Sequence, residues 1–268
     1  IDPETGHLDP ADLAALLADG RVQLVCFPHC SNVVAEINPV AEIVAMAHAA
    51  GAVTCVDGVS YAPHGVPDVG ALGADIYLLS AYEVFGPHQG IMAIRRGLGE
   101  SLPNQGHWFN GDSLYKRFTP AGPDHAQIAA CAGIADYIDA LHSRHFVADP
   151  DARRRAGAVH DLLRAAETAV IQPLLDYLAD RNDLRLIGPR DAARRAPTVA
   201  VDLGRAAEPV AAELAGHGIN CLGGTFYANR PLAAMGVDMD QGVLRLSAVH
   251  YTSPDDVARL IAALDRVL

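Results

Sequence analysis

The sequence has few positive charges and almost no lysine. Its 268 residues include 32 acidic side chains against 20 basic ones, and Lys116 is the single lysine. The formal net charge is therefore -12 at pH 7. Binding to nucleic acid or to an anionic membrane surface requires a basic patch, so neither class of partner is expected for this chain.

Long apolar runs and metal-binding cysteine patterns are also missing. No apolar run approaches the length needed to cross a bilayer, and no charged-then-apolar leader is present. The five cysteines form no CxxC or cysteine–histidine metal spacing (Cys26, Cys30, Cys55, Cys131, Cys221). Free and mostly buried thiols suit a reducing compartment, so we expect a soluble, cytoplasmic protein without a metal site.

Half of the residues are hydrophobic, which is enough to bury a substantial core. Short apolar runs at residues 22–27, 52–56 and 76–80 alternate with helical segments. Because each run is almost entirely apolar, this pattern predicts an α/β domain whose mostly parallel sheet is covered on both faces. We assign residues 1–150 to this large domain.

The second part of the sequence follows a different pattern. A long helix is predicted over residues 151–180, followed by strands near 184–187, 198–203, 219–222 and 243–249 with helices between and after them. This order is typical of a smaller α+β domain with mostly antiparallel strands. We assign it residues 151–268, with the boundary within the long helix.

Polar residues follow each apolar run of the large domain. His29 and Asn32 come after the first run, Asp57 ends the second, and Ser80 and Glu83 follow the third. In an open α/β sheet, ligands bind at the carboxyl ends of the strands. We therefore expect these side chains to lie around one pocket.

The third of these strand ends carries a recognisable motif. Residues 80–90 read Ser-Ala-Tyr-x-x-Phe-Gly-Pro-His-x-Gly, which resembles the active-site turn of the class V aminotransferase and cysteine desulfurase-like family of pyridoxal phosphate (PLP) enzymes. In that family the residue after the tyrosine is the lysine that forms the Schiff base. Here that residue is Glu83. A carboxylate cannot condense with an aldehyde, and no pattern places Lys116 at the same edge.

The resemblance covers essentially the whole chain and implies a fold. It implies a fold type I PLP-transferase architecture, with a three-layer large domain, a homodimer and an amino acid or small amino carboxylate as substrate. It also implies that the family's N-terminal portion, with its phosphate-binding loop, precedes the segment that this sequence resembles. A sheet lacking those strands would have exposed edges.

The resemblance further implies five cofactor-binding residues. Asp57 matches the carboxylate that keeps the pyridine nitrogen protonated, and Asn32 matches the residue that contacts the phenolic oxygen. Ser60 stands where the family has glutamine or histidine, Ser80 matches a phosphate-binding hydroxyl, and His29 lies at the same edge. For Asp57 and Asn32, a purely local role in a cap or an Asx turn is the structural alternative.

Substrate binding is assigned to Arg245. This residue lies in an otherwise apolar strand, where a cation must be paired or face a cavity. In the family the matching arginine holds the substrate α-carboxylate in a bidentate pair. The desulfurase cysteine has no counterpart, because Tyr227 stands in its place. His64 and His88 lie near the same edge, and turn histidines are the equal alternative for both.

Two functional hypotheses follow. One is an enzyme that holds PLP noncovalently, with Glu83 as the acid/base at the lysine position. The other is a non-catalytic relative that serves as a scaffold or partner subunit. Retention of Asn32, Asp57, Ser80 and Arg245 favours the first, whereas loss of the lysine favours the second.

Overall fold

The structure is a computed structural model that describes residues 1–119 and 122–268, and this part of the chain forms two four-stranded sheets. The strands are β1 (Leu24–Pro28), β2 (Val53–Asp57), β3 (Ile76–Ser80), β4 (Gly90–Ile94), β5 (Arg185–Ile187), β6 (Thr198–Asp202), β7 (Leu222–Gly224) and β8 (Val243–Ser247). The helices are α1 (Pro10–Leu17), α2 (Val40–Ala49), α3 (Val69–Leu72), α4 (Arg96–Ser101), α5 (Leu114–Arg117), α6 (His125–Ala130), α7 (Ala132–His145), α8 (Ala152–Ala179), α9 (Ala207–Gly216), α10 (Asn229–Ala234) and α11 (Pro254–Val267).

The first sheet has the order β1-β2-β3-β4, with the first three strands parallel and β4 antiparallel to β3. One face is buried under α2, where Val56 and Tyr77 are fully buried against Val40 and Val44. The packing is tight at the end of β2. A Cβ on Gly58 would lie 2.1 Å from the Tyr77 ring, so only glycine fits there.

The other face of this sheet is exposed, in contrast to the prediction that both faces are covered. Leu24 is 53% exposed, Leu78 36% and Met92 40%. Leu78 pairs with Asp57 on one side and with Met92 on the other, so these three side chains point to the same face. Within residues 1–119 and 122–268, no helix covers this row.

The second sheet has the order β5-β6-β8-β7 and is antiparallel throughout, as predicted. One face packs against α8, α9 and α11 in a large apolar core. The other face packs against Val33 and Val34, which follow β1 of the first sheet. This contact brings the carboxyl edge of the first sheet next to the middle of β8.

The third strand of this sheet begins later than predicted. The sequence predicted a strand at 219–222, whereas β7 spans Leu222–Gly224. Ile219 is instead tied to the end of α9, because its backbone N–H donates to the Leu214 carbonyl at 3.0 Å. Ile219 and Cys221 then pack against the apolar core before the strand starts.

Helix α8 links the two sheets. Asp151 caps its start by accepting hydrogen bonds from the Arg153 and Arg154 backbone, and the helix continues for 28 residues. Its second half supplies Ile171 and Leu175 to the core of the second sheet. The domain division within this helix stays a prediction. In the described ranges, no helix is long and apolar enough to cross a membrane.

Candidate functional site

A cavity of about 400 Å³ lies where the carboxyl edge of the first sheet meets the middle of β8. We call it the inter-sheet cavity. Its polar and aromatic lining comes from six separate segments of the chain and includes Asn32, Ser60, His64, Glu83, Phe226 and Arg245. Four residues predicted from the sequence thus line one space: Asn32, Ser60, Glu83 and Arg245.

Arg245 supplies the positive charge of this cavity. Its guanidinium lies over the Phe226 ring, with Cζ 4.0 Å from the ring centroid, and Nη1 donates to the Asn32 carbonyl at 3.4 Å. Burial lowers the pKa of Arg245 from its ordinary value, and the negative charge of Glu83 opposes that shift. The cation is therefore held by a ring and a carbonyl, with Glu83 as the anion that acts on it.

The Phe226 ring is positioned by an unusual backbone. Phe226 and Tyr227 have φ values of 52° and 61°, in the left-handed region that bulky residues rarely adopt. Each such residue costs about 1–3 kcal/mol, so its surroundings must hold it in place. The Asn32 side-chain amide does so by donating to the Phe226 carbonyl at 2.7 Å. Sequence reasoning missed Phe226, and the preceding Gly223-Gly224 was the only local signal.

Glu83 reaches the cavity from a single 3-10 turn, Ala81–Val84, that follows β3. The turn is fixed by backbone hydrogen bonds from Ala81 N–H to the Gln89 carbonyl at 2.7 Å and from Gly86 N–H to the Ala81 carbonyl at 2.8 Å. A Cβ on Gly86 would lie 2.9 Å from the Ala81 oxygen, which explains the glycine of the motif. Lys116 lies on α5 and is not part of the cavity lining.

Asp57 and Ser80 lie outside the cavity lining. Both point to the exposed face of the first sheet, since Asp57 pairs with Leu78 and Ser80 lies two residues farther along β3. Asp57 is exposed, and its Oδ1 accepts from the Val59 backbone N–H at 3.0 Å. This is the Asx turn of the local alternative, and it leaves the second carboxylate oxygen open to solvent.

His29 lies in the core. It is 5% exposed, its ring stacks on Tyr61 with centroids 3.7 Å apart, and its Nδ1 is 2.8 Å from the Tyr77 hydroxyl. Burial lowers the pKa of His29 to about 4, with a smaller contribution from the His160 charge. A histidine that stays neutral and stacked in this way packs beneath the sheet edge and does not line the cavity.

His64 has a buried partner, Glu167, that the sequence did not single out. Glu167, in the middle of α8, is fully buried and lies 3.0 Å from Nδ1 of His64, which lines the cavity. The separation of 103 positions along the chain hides this pair from any local pattern. From the sequence, His64 is equally well a turn histidine, and no local pattern distinguishes Glu167 from a surface residue of the helix.

Comparison with known families assigns this chain to a family. The family model described as aminotransferase class-V matches residues 2–142, more than half of the chain. The chain belongs to the class V aminotransferase family. The resemblance predicted from residues 80–90 is thereby confirmed.

Relatives of this family member agree with the assignment. The aminotransferase-like protein FGM3 of Gibberella zeae is 34% identical over 275 residues, covering 100% of this chain and 64% of that protein. A cysteine desulfurase of Dickeya dadantii is 31% identical over 280 residues, covering 98% of this chain and 62% of that enzyme. The class V chain thus spans less than two thirds of the length of either relative.

Solved structures confirm the fold class. The apo cysteine desulfurase of Thermococcus onnurineus NA1 matches with a TM-score of 0.80 and 23% identity, covering 99% of this chain and 64% of that one. The cysteine desulfurase CsdA of Escherichia coli matches with a TM-score of 0.76 and 24% identity, covering 95% and 62%. At these identities the likeness concerns the PLP-transferase-like fold alone.

Proposed function

We propose that the inter-sheet cavity binds an amino acid or a similarly small amino carboxylate. The observation that carries this proposal is the joint presence of Arg245 and Glu83 in one small cavity. Such a ligand has a carboxylate and an ammonium group. Arg245 pairs with the carboxylate, and Glu83 attracts the ammonium group.

The geometry around Arg245 supports the carboxylate end of this assignment. A half-buried guanidinium has paid part of its desolvation cost, and among the described residues its hydrogen bond is to a single carbonyl oxygen. Most of its donors therefore remain free for a ligand. A planar fork of this kind fits a carboxylate better than a lysine ammonium would.

Class V aminotransferases use PLP, and the residues at this sheet edge fit a noncovalently held pyridoxal ring. On the exposed face of the sheet, Asp57 offers an open carboxylate oxygen for the pyridine nitrogen and Ser80 offers a hydroxyl, while Asn32 and Ser60 line the adjoining cavity. The donor set contains no amine, so the covalent anchor is lost. When bound, PLP supplies an electron sink for the amino carboxylate.

At the lysine position, Glu83 therefore binds the ligand without forming a Schiff base. Glu83 lies in the 3-10 turn Ala81–Val84, which backbone hydrogen bonds hold in place, and its side chain lines the cavity. A carboxylate there orients an ammonium group and can accept a proton from it. It cannot form a bond to a carbonyl carbon that would survive reduction.

A non-catalytic partner subunit is the second candidate, and one observation favours it. The exposed face of the first sheet presents Leu24, Leu78 and Met92, which a folded protein normally covers. A second copy of the class V chain, in the dimer that the family resemblance implies, is the partner we propose for this candidate. In that case neither PLP nor an amino acid binds the cavity.

The test is to restore the amine. The full chain and its Glu83→Lys variant are incubated with PLP and treated with borohydride, and covalent attachment is located by peptide mass spectrometry. We expect attachment at position 83 in the variant and none in the unchanged chain, because only the variant has an amine in the cavity. Glu83→Gln serves as the matched control without an amine.

The double variant Glu83→Lys/Lys116→Arg distinguishes PLP attachment in the cavity from attachment at Lys116. Attachment should persist in this double variant, because Lys116 does not line the cavity. Attachment that disappears with Lys116→Arg would contradict the site. If the unchanged chain shows no PLP absorbance and Glu83→Lys captures none, the partner-subunit candidate is favoured.

A further inference from the structure

A buried charge cluster lies behind one wall of the inter-sheet cavity. Glu167 is fully buried, and its two carboxylate oxygens have different partners. Oε1 is 3.0 Å from Nδ1 of His64, and Oε2 is 3.4 Å from Nη1 of Arg164. His64 lines the cavity, so the cluster connects the middle of α8 to the ligand space.

The contact with buried Glu167 determines which nitrogen of the His64 ring donates a hydrogen bond. A carboxylate with no access to water must be compensated by hydrogen bonds and by a cation, which Arg164 provides. Nδ1 of His64 therefore carries a proton and donates it to Oε1, because an unprotonated nitrogen would repel the carboxylate. In the tautomer that protonates Nδ1, the other ring nitrogen, Nε2, is the hydrogen-bond acceptor.

The backbone holds this ring in place. His64 ends the 3-10 turn Ala62–His64, and its N–H donates to the Tyr61 carbonyl at 2.9 Å. Gly65 follows with a φ of 153°, and a Cβ there would lie 2.2 Å from Nδ1 of His160. The chain thus turns sharply after His64. Among the described residues, Nε2 of His64 has no hydrogen-bond partner, which leaves its lone pair for a ligand.

We propose that Nε2 of His64 accepts a hydrogen bond from the ammonium group of the bound amino carboxylate, and that Glu167 is the residue that positions the ring. This inference rests on the proposed function and deepens it. The ligand keeps its proton, and an N–H of the ammonium group donates to Nε2 while Nδ1–H of the same ring donates to Glu167.

The charged groups around His64 come from several elements. Glu83, which attracts the ligand ammonium group, also acts on the positive charge of Arg245. From α8, the negative charge of Glu167 faces His64, with Arg164 behind it. His250, in the loop after β8, senses the charges of both Glu167 and His64, and burial lowers its pKa. His160 on α8 likewise has its pKa lowered by burial.

The experiment compares two ligands that differ in the ammonium group. Binding of L-alanine and of propionate to the full chain is measured by titration calorimetry, together with the ¹⁵N shifts of the His64 ring. His64→Asn is the informative variant, because the asparagine amide replaces Nδ1 and keeps the hydrogen bond to Glu167 while Nε2 is lost. His48→Gln is the matched control, since Nε2 of His48 pairs with Asp75 at 2.7 Å away from the cavity.

We expect His64→Asn to weaken L-alanine binding about tenfold and to leave propionate binding unchanged, the effect of one hydrogen bond to a charged group. In the unchanged chain, L-alanine should move the Nε2 resonance in the direction expected of a hydrogen-bonded acceptor nitrogen, and propionate should not. Glu167→Gln should reduce both effects, whereas His48→Gln should change neither. These readouts do not depend on turnover.

Other outcomes overturn the inference in distinguishable ways. If L-alanine binds but its affinity and the Nε2 resonance are the same with and without His64 or Glu167, His64 is not the acceptor, although the proposed function stands. Equal losses for L-alanine and propionate in His64→Asn would mean a general packing defect and would also refute it. If neither ligand binds the unchanged chain, the proposed function fails together with this inference.

Discussion

The core position of His29 makes a quantitative prediction about stability and pH. Burial lowers the pKa of His29 to about 4, whereas a histidine in an unfolded chain titrates near 6.5. The unfolded state therefore binds a proton first as the pH falls. The stability contributed by the neutral ring is complete above about pH 6.5 and is lost as the pH falls towards 4.

The size of this effect follows from the difference between the two pKa values. Each pKa unit corresponds to about 1.4 kcal/mol, so a gap of about 2.5 units makes the complete loss about 3 kcal/mol. His29 is only 5% exposed, so solvent screening removes little of this amount. At about pH 4.5 most of the loss, about 2–3 kcal/mol, is already present.

His29→Phe removes the titration while keeping a ring to stack on Tyr61. The variant leaves the Tyr77 hydroxyl without its partner, which costs about 1–3 kcal/mol at every pH. Urea unfolding, followed by circular dichroism at about pH 7 and pH 4.5, separates the two effects. We expect the pH-dependent loss to be smaller in His29→Phe by about 2–3 kcal/mol.

The exposed His107 provides the control, because His107→Phe should leave the pH dependence unchanged. The reasoning would be refuted by a pH-dependent loss in His29→Phe that equals that of the unchanged chain. That result would mean that His29 is accessible and charged, as expected of a residue that contacts a cofactor.

Two further predictions concern packing and the cavity wall. Gly58→Ala should destabilise the fold by about 1–3 kcal/mol in thermal unfolding, because its Cβ would overlap the Tyr77 ring. Gly90→Ala is the control and should cost less, because there is open space around Gly90. Asn32→Ala should weaken L-alanine binding about tenfold with little change in melting temperature, because it releases the strained backbone at Phe226. Unchanged affinity in calorimetry would show that this hydrogen bond does not shape the cavity.

Much of the fold could be predicted from local sequence. The runs that became β2 and β3 are apolar at nearly every position, and this is the property that separates a parallel strand from a surface strand. The exposed face could not be predicted in this way. Leu24 and Leu78 are as apolar as Val56, and composition does not reveal which face of a sheet the chain covers.

Two residues of the candidate site could be predicted because their charge is unusual for their position in the sequence. A cation inside an apolar strand singled out Arg245, and an acid in place of a lysine singled out Glu83. His29 shows the limit of this reasoning, since a polar residue at a strand end can also turn into the core. Glu167 could not be found, because a glutamate in a helix is ordinarily on the surface and its partner His64 is distant in sequence.

A crystal structure of the full chain with L-alanine is the most direct test of the central claim. We expect the ligand carboxylate to lie on the guanidinium of Arg245 and the ammonium group to face Glu83 and His64. A ligand bound outside this cavity, or side chains of Glu83 and Arg245 that open into separate spaces, would contradict the claim.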